Sequence, residues 1–271
     1  MKVLELFSGE NSSLATTARS LGQETTTLDF SPKCGADICE DIRTWDYESH
    51  PTPDFCWASP DCRETSKVRR QSGDVCFADE VGRRTVLILR HFAARGCLCV
   101  MENPSGALGN RPWLRELVAQ GVARLAKVNY CKYSDERPEN FTPTSAGKQT
   151  LGQWYPYAKL TDLFWFSPCA WEPRARCRQN RCQWLNERGC HRCEARKGIP
   201  PAHTALNGSL NLPYTMNTQQ LHRVPHQLCR EILQQARVPP DSSEDLAISS
   251  NECSRPLTSS TAPPPSKPES S

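Results

Sequence analysis

The stretch "FCWASPDCRETS", residues 55–66, places Cys62 two residues beyond the Pro60 that stops an apolar run. Asp61, Arg63 and Glu64 flank it, so it faces a loop and water. Cys56, inside the run, reads instead as an inert packing thiol. Arg63, Lys67, Arg69 and Arg70 favour a thiolate at Cys62, whereas Asp61 opposes one. Glu102, in "VMENP", ends a second apolar run, also stopped by a proline. A thiolate and a carboxyl meeting at one sheet edge suit a nucleophile with an acid partner. The plain alternatives are a packed thiol and a surface acid.

A second set of residues suits metal binding. The order is Cys169-x7-Cys177-x4-Cys182-x7-Cys190-His191-x-Cys193. Ligand pairs separated by a short loop fit tetrahedral zinc, and thiolates favour zinc over hard cations. The expected ligands are Cys177, Cys182, Cys190 and Cys193, with His191 as a substitute for either late cysteine. Free thiols in a small irregular domain are the alternative. From Arg174 to Lys197 there are eight Lys/Arg against two Asp/Glu, with Trp184 among them. Such a stretch suits DNA phosphates and base edges, or is simply a solvated basic face.

The elements that must position these residues alternate. "KVLELF" reads as a buried strand ending at Ser8-Gly9, and "ENSSLATTARSLG" as a helix closed by Gly22. "TTTLDF" and "DFCWAS" are strands, "TVLILRHFAAR" a helix, "CLCVMENP" a strand and "PWLRELVAQGV" a helix. This alternation predicts an open, mainly parallel α/β sheet, whose ligands sit outside the carboxyl ends of the strands. "FSGENS", "SPDC" and "ENPSG" all fall on that edge. "LFSGENSS" by itself is an ordinary strand-to-helix turn, or a loop whose helix amides receive a polar ligand. Asp29 ends the second strand, where an acid commonly holds ribose hydroxyls; Asp41 suits an adenine amino group or is a solvated acid.

Length and composition allow one sizeable domain and a smaller one: 271 residues, 37% apolar, with a net charge of +3. No stretch approaches the ~18 apolar residues of a membrane span, and the N-terminus does not read as a secretory signal. The fifteen cysteines therefore point to a reducing compartment. The expected domains are 1–166 for the α/β sheet, 167–215 for a small Cys/Arg-rich domain, 216–238 for a helix returning to the first, and a disordered Pro/Ser/Thr-rich tail at 239–271.

In order, these segments resemble the DNA cytosine-5 methyltransferases, especially the short type carried by phages. "ELFSGENSS" is similar to the cofactor loop, with Asn11 in place of a glycine. "TLDFSPKCGADICEDIRTW" resembles the next two cofactor segments. "WASPDCRETS" is similar to the Ser-Pro-Pro-Cys nucleophile motif, with Asp61 for the second proline, and "MENPSGAL" to the Glu-Asn-Pro/Val motif. "VNYCKYS" and "YPYAKLTDLFW" resemble Tyr-Cys-x-Tyr-Gly and Pro-Tyr-Arg-Lys-Pro-Thr-Asp, with Ser134 for the glycine and Ala158 for the arginine. "LHRVPHQLCREIL" matches the closing helix.

The resemblance implies a Rossmann-like methyltransferase fold and transfer of a methyl group from S-adenosylmethionine to carbon 5 of a flipped cytosine. It makes Cys62 the nucleophile, Glu102 its acid partner and Lys159 a supporting cation. Phe7, Ser8, Gly9, Asp29, Asp41, Ile42 and Pro60 become the cofactor contacts. DNA is the expected partner of a monomeric chain that is intracellular, nuclear in a eukaryote and otherwise cytoplasmic. Because Asp61, Ser134 and Ala158 depart from the pattern, a catalytically impaired relative that binds DNA is one alternative. A zinc-dependent nucleic-acid-binding protein is another.

Overall fold

A computed structural model describes residues 1–10, 12–60, 75–106, 108–134, 159–178, 182 and 223–236 of the chain. Residues 1–238 form one compact unit; 239–271 are a second unit, so the expected disordered tail lies outside the described residues.

Among the described residues a seven-stranded sheet has the order β3-β2-β1-β4-β5-β7-β6. Its strands are β1 (Lys2–Leu6), β2 (Glu24–Asp29), β3 (Ile38–Cys39), β4 (Phe55–Ala58), β5 (Leu98–Pro104), β6 (Arg124–Asn129) and β7 (Leu160–Trp165). β1 to β5 pair in parallel, while β7 runs antiparallel to both β5 and β6. The expected α/β, Rossmann-like sheet is therefore present, with one reversed strand. β6 and β7 are hydrogen-bonded neighbours from Arg124↔Trp165 to Asn129↔Leu160, a hairpin pairing that reverses β7.

Helix α1 (Ser13–Ser20) follows β1, α2 (Val75–Ala93) precedes β5, and α3 (Pro112–Ala119) follows it. Ser12 caps α1 by accepting from the Ala15 amide at 2.9 Å. Alternation along the strands divides the core. Leu4, Leu6, Cys56 and Met101 pack toward Ile88, Leu89 and Phe92 of α2. Val3, Phe55, Trp57 and Val100 pack toward α1 and the last helix, α4 (His226–Gln235). The helical pattern expected from residue 216 starts only at His226 within the described residues, because Val224 and Pro225 precede it as non-helical chain. A proline is tolerated at a helix start and not inside one. α4 joins α1 through Thr17 Oγ1 and His226 Nδ1, 2.9 Å apart. Trp171 and Cys182 lie in this same core.

Chain order reverses between β1 and β4, since β2 and β3 lie on one side and β5 on the other. The crevice outside the carboxyl ends of the strands at such a switch point is the usual ligand position.

Candidate active site

The carboxyl ends of β2, β1, β4 and β5 are tied into one row. β1 ends with Phe7 in a left-handed conformation, φ 64°, and Gly9 follows at φ 63°. The Phe7 and Ser8 amides donate to the Leu28 carbonyl of β2 at 2.8 and 3.2 Å. Asp29, at the end of β2, is buried and accepts from the Gly9 amide at 3.0 Å through one oxygen. Its other oxygen accepts from Ser31 at 2.9 Å. The Cys34 thiol also hydrogen-bonds this carboxylate, which leaves it a lone pair for a ligand hydroxyl. A non-glycine residue at positive φ costs roughly 1–3 kcal/mol and persists only where surroundings impose it, commonly at functional sites.

On the other side of the switch point, the Ser59 amide donates to the Leu6 carbonyl of β1 at 3.3 Å. The buried Asn103 side chain of β5 donates to the Pro60 carbonyl at 3.1 Å. Pro60, two residues before Cys62, is thereby tied to the strand that carries Glu102. Glu102 is 5% exposed, and the Tyr130 hydroxyl donates to its Oε1 at 2.9 Å. Tyr130 opens a 3-10 turn, Tyr130–Lys132, at the end of β6. Its amide donates to the Lys159 carbonyl at 3.0 Å, and the Lys159 ammonium lies 4.7 Å from its ring centroid. Lys159, Tyr130 and Glu102 thus form a chain at the carboxyl end of β5. Beside it, the buried Asp162 of β7 pairs with Lys127 and accepts from Ser105, directly beyond the Glu-Asn-Pro segment.

Of the residues expected to bind the cofactor, Phe7, Ser8, Gly9, Asp29 and Pro60 lie along this row. Asp41 and Ile42 follow β3, next to β2. Ile42 is buried in the α2-facing core. Asp41 accepts from the Arg43 guanidinium at 2.6 Å, and that bond holds its carboxyl below the usual carboxylate range. Cys62, Asp61 and the basic residues after them lie outside the described residues, as do Cys190, His191 and Cys193. Cys177 and Cys182 are brought together, and Cys131 joins them. Cys56 is fully buried and burial pushes its thiol up, as expected of a packing residue.

The sequence reading missed Asn103, Tyr130 and Cys131 as individual residues, although each stands in a quoted motif. It also missed Phe30 and Glu5. Phe30 directly follows Asp29 and is 67% exposed, a large ring left uncovered at the ligand edge. Glu5 of β1 is buried; it accepts from the Ser12 hydroxyl and, at 3.1 Å, from the Ala15 amide. Burial pushes its carboxyl up to about 7. An acid inside an apolar strand was the available signal. Among the described residues, no helix is long and apolar enough to cross a membrane.

No family model matches the chain. A curated protein of Frog virus 3, named "Probable DNA (cytosine-5)-methyltransferase", is 36% identical over 75 residues. Those residues are 27% of this chain and 34% of that protein, so the match spans about a third of the relative's length. Among solved structures, the S. pombe Dnmt2 methyltransferase is 12% identical, with 64% of this chain and 51% of that chain covered and a TM-score of 0.38. A Spodoptera frugiperda DNMT2 variant is 13% identical, with 65% and 53% covered and a TM-score of 0.39. Over the 75 matched residues the chain is a sequence relative of a protein named as a DNA (cytosine-5)-methyltransferase.

Proposed function

We propose that the protein is a DNA (cytosine-5)-methyltransferase that uses S-adenosylmethionine, with Cys62 as its nucleophile. The observation that carries this reading is the bonded row at the switch point. It fixes a glycine loop, the approach to Cys62 and the Glu102 carboxyl on adjacent strands. The residues present suit the cofactor: a left-handed turn at Phe7 and Gly9, a buried acid at Asp29 and an uncovered ring at Phe30. When bound there, S-adenosylmethionine supplies an electrophilic methyl group.

Carbon 5 of cytosine is too weak a nucleophile to react directly. A Cys62 thiolate adding to carbon 6 makes carbon 5 electron-rich, dividing one hard step into two. Glu102 hydrogen-bonds N3 and the exocyclic amine, so charge develops there at lower cost. Tyr130 holds the Glu102 carboxyl in place through Oε1. Lys159 adds positive charge beside the pair. Methyl transfer would release S-adenosylhomocysteine, and loss of the carbon-5 hydrogen as a proton to water would then expel the Cys62 thiolate from carbon 6. The target must leave the base stack to reach these groups. An intracellular, reducing setting belongs to the same reading, because both Cys62 and the clustered cysteines must stay unoxidised. So does a zinc ion held by Cys177 and Cys182.

The test combines calorimetry with S-adenosylmethionine and methyl transfer to DNA. Binding and transfer support the enzyme. Binding without transfer leaves a catalytically impaired relative, and no binding leaves a zinc-dependent nucleic-acid-binding protein on an α/β scaffold.

A further inference from the structure

The sulfurs of Cys131, Cys177 and Cys182 all lie within 4.8 Å of one another. Cys131 and Cys182 are buried at 2% and 6% exposure, and Cys177 is half-buried. Cys131 comes from the turn after β6, whereas the others come from the Cys/Arg-rich segment after β7. Tetrahedral thiolate sites draw sulfurs this close around zinc, at ~2.3 Å from the metal.

The backbone around the cluster is fixed on both sides. The Cys177 amide donates to the Asn129 side chain at 3.1 Å, and the Arg174 amide to the Tyr133 hydroxyl at 2.9 Å. Arg174 also donates to the Lys132 carbonyl and pairs with Glu231 of α4. Held like this, the sulfurs converge without a further change of fold. A divalent ion suits this convergence, because each thiol that binds gives up its proton and the thiolate faces a positive charge.

We propose that Cys131, Cys177 and Cys182 hold one zinc ion, which fastens the Cys/Arg-rich segment to the turn that presents Tyr130 to Glu102. A fourth donor completes the tetrahedron. This deepens the zinc part of the reading above and does not depend on methyl transfer. The ion is structural, since Cys131 and Cys182 are buried in the core that includes α4 and Cys177 packs against it. Its functional effect passes through one residue, from Cys131 to the adjacent Tyr130.

The experiment uses the full chain purified under reducing conditions. Metal analysis is expected to find about one zinc per chain. Cobalt substitution is expected to give thiolate-to-cobalt charge transfer and the intense visible bands of a tetrahedral site. Cys131→Ser should weaken cobalt binding by more than the ~10–100-fold that loss of a supporting partner costs. The exposed Cys39→Ser should leave it unchanged. As a measurement independent of any variant, alkylation with mass mapping should find residues 131, 177 and 182 protected together, and exposed together by a chelator. Zinc-free folded protein, or a disulfide among the three, overturns both the zinc reading and this inference. Full cobalt affinity in Cys131→Ser, or a reactive Cys131 in metal-loaded chain, overturns this inference alone.

Discussion

Glu102 and Glu5 are both buried acids on the α1 and α4 side of the sheet, and their partners separate their roles. Glu102 accepts from Tyr130, whose ring lies against the Lys159 ammonium, at the carboxyl end of β5. Glu5 lies deeper on β1, tied to the α1 cap, and burial raises its carboxyl from 4.5 to about 7. Its raised folded value means the fold prefers the neutral acid. The associated stability is complete below pH 4.5 and is lost as pH rises through about 7. At ~1.36 kcal/mol per pKa unit the loss is about 3 kcal/mol. Urea unfolding at about pH 5 and about pH 8 should show this drop in the native chain and not in Glu5→Gln. An equal drop in both would remove Glu5 as its source. Asp61 poses the opposite problem for Cys62. A unit charge at roughly 6 Å with an effective dielectric of ~20 is worth about 2.8 kcal/mol against a thiolate. Methylation should therefore be slow near neutrality, rise with pH, and quicken in Asp61→Pro. A fast, flat rate in the native chain, with no gain from proline, would refute this. Glu102 was legible because it ends an apolar run at a proline. Tyr130 was not, since a bond between two motifs distant in sequence leaves no local pattern.

At the scale of elements, the Glu-Asn-Pro segment matters as much for its asparagine as for its acid. Asn103 joins β5 to the Pro60 loop through a buried hydrogen bond. Asn103→Ala leaves the Pro60 carbonyl without that donor, which should cost about 1–3 kcal/mol in stability. If the loop after β1 holds S-adenosylmethionine as proposed, the same change should lower methyl transfer more than S-adenosylmethionine affinity, because β2 ties Phe7, Ser8 and Gly9 independently. Parallel rates and affinities in the variant would show that the tie does not position the nucleophile. β1, β2, β4 and β5 were legible as apolar runs stopped by glycine, acid or proline. β6 and β7 were not read as strands, and the reversed direction of β7 appears only in its pairing with β5 and β6. Cys131 escaped for a related reason. The two cysteines it meets come from beyond β7, and spacing along the chain favours neighbours in sequence over neighbours in space.

Over the whole molecule, the order β3-β2-β1-β4-β5-β7-β6 brings every described candidate of the α/β segment to one edge or next to it. Net charge contributes little to this placement, because +3 over 271 residues steers weakly. The positive charge that would meet DNA is concentrated between Arg174 and Lys197, in the segment whose first cysteines join the sheet through Cys131. The central claim is methyl transfer through Cys62. Its most direct test is incubation of the native chain and Cys62→Ser with labelled S-adenosylmethionine and mixed-sequence DNA, followed by nucleoside analysis. Label is expected on 5-methylcytosine from the native chain and none from Cys62→Ser, with S-adenosylmethionine affinity in the variant within a few-fold of native. Full transfer by Cys62→Ser, or label on any base but cytosine, would contradict it.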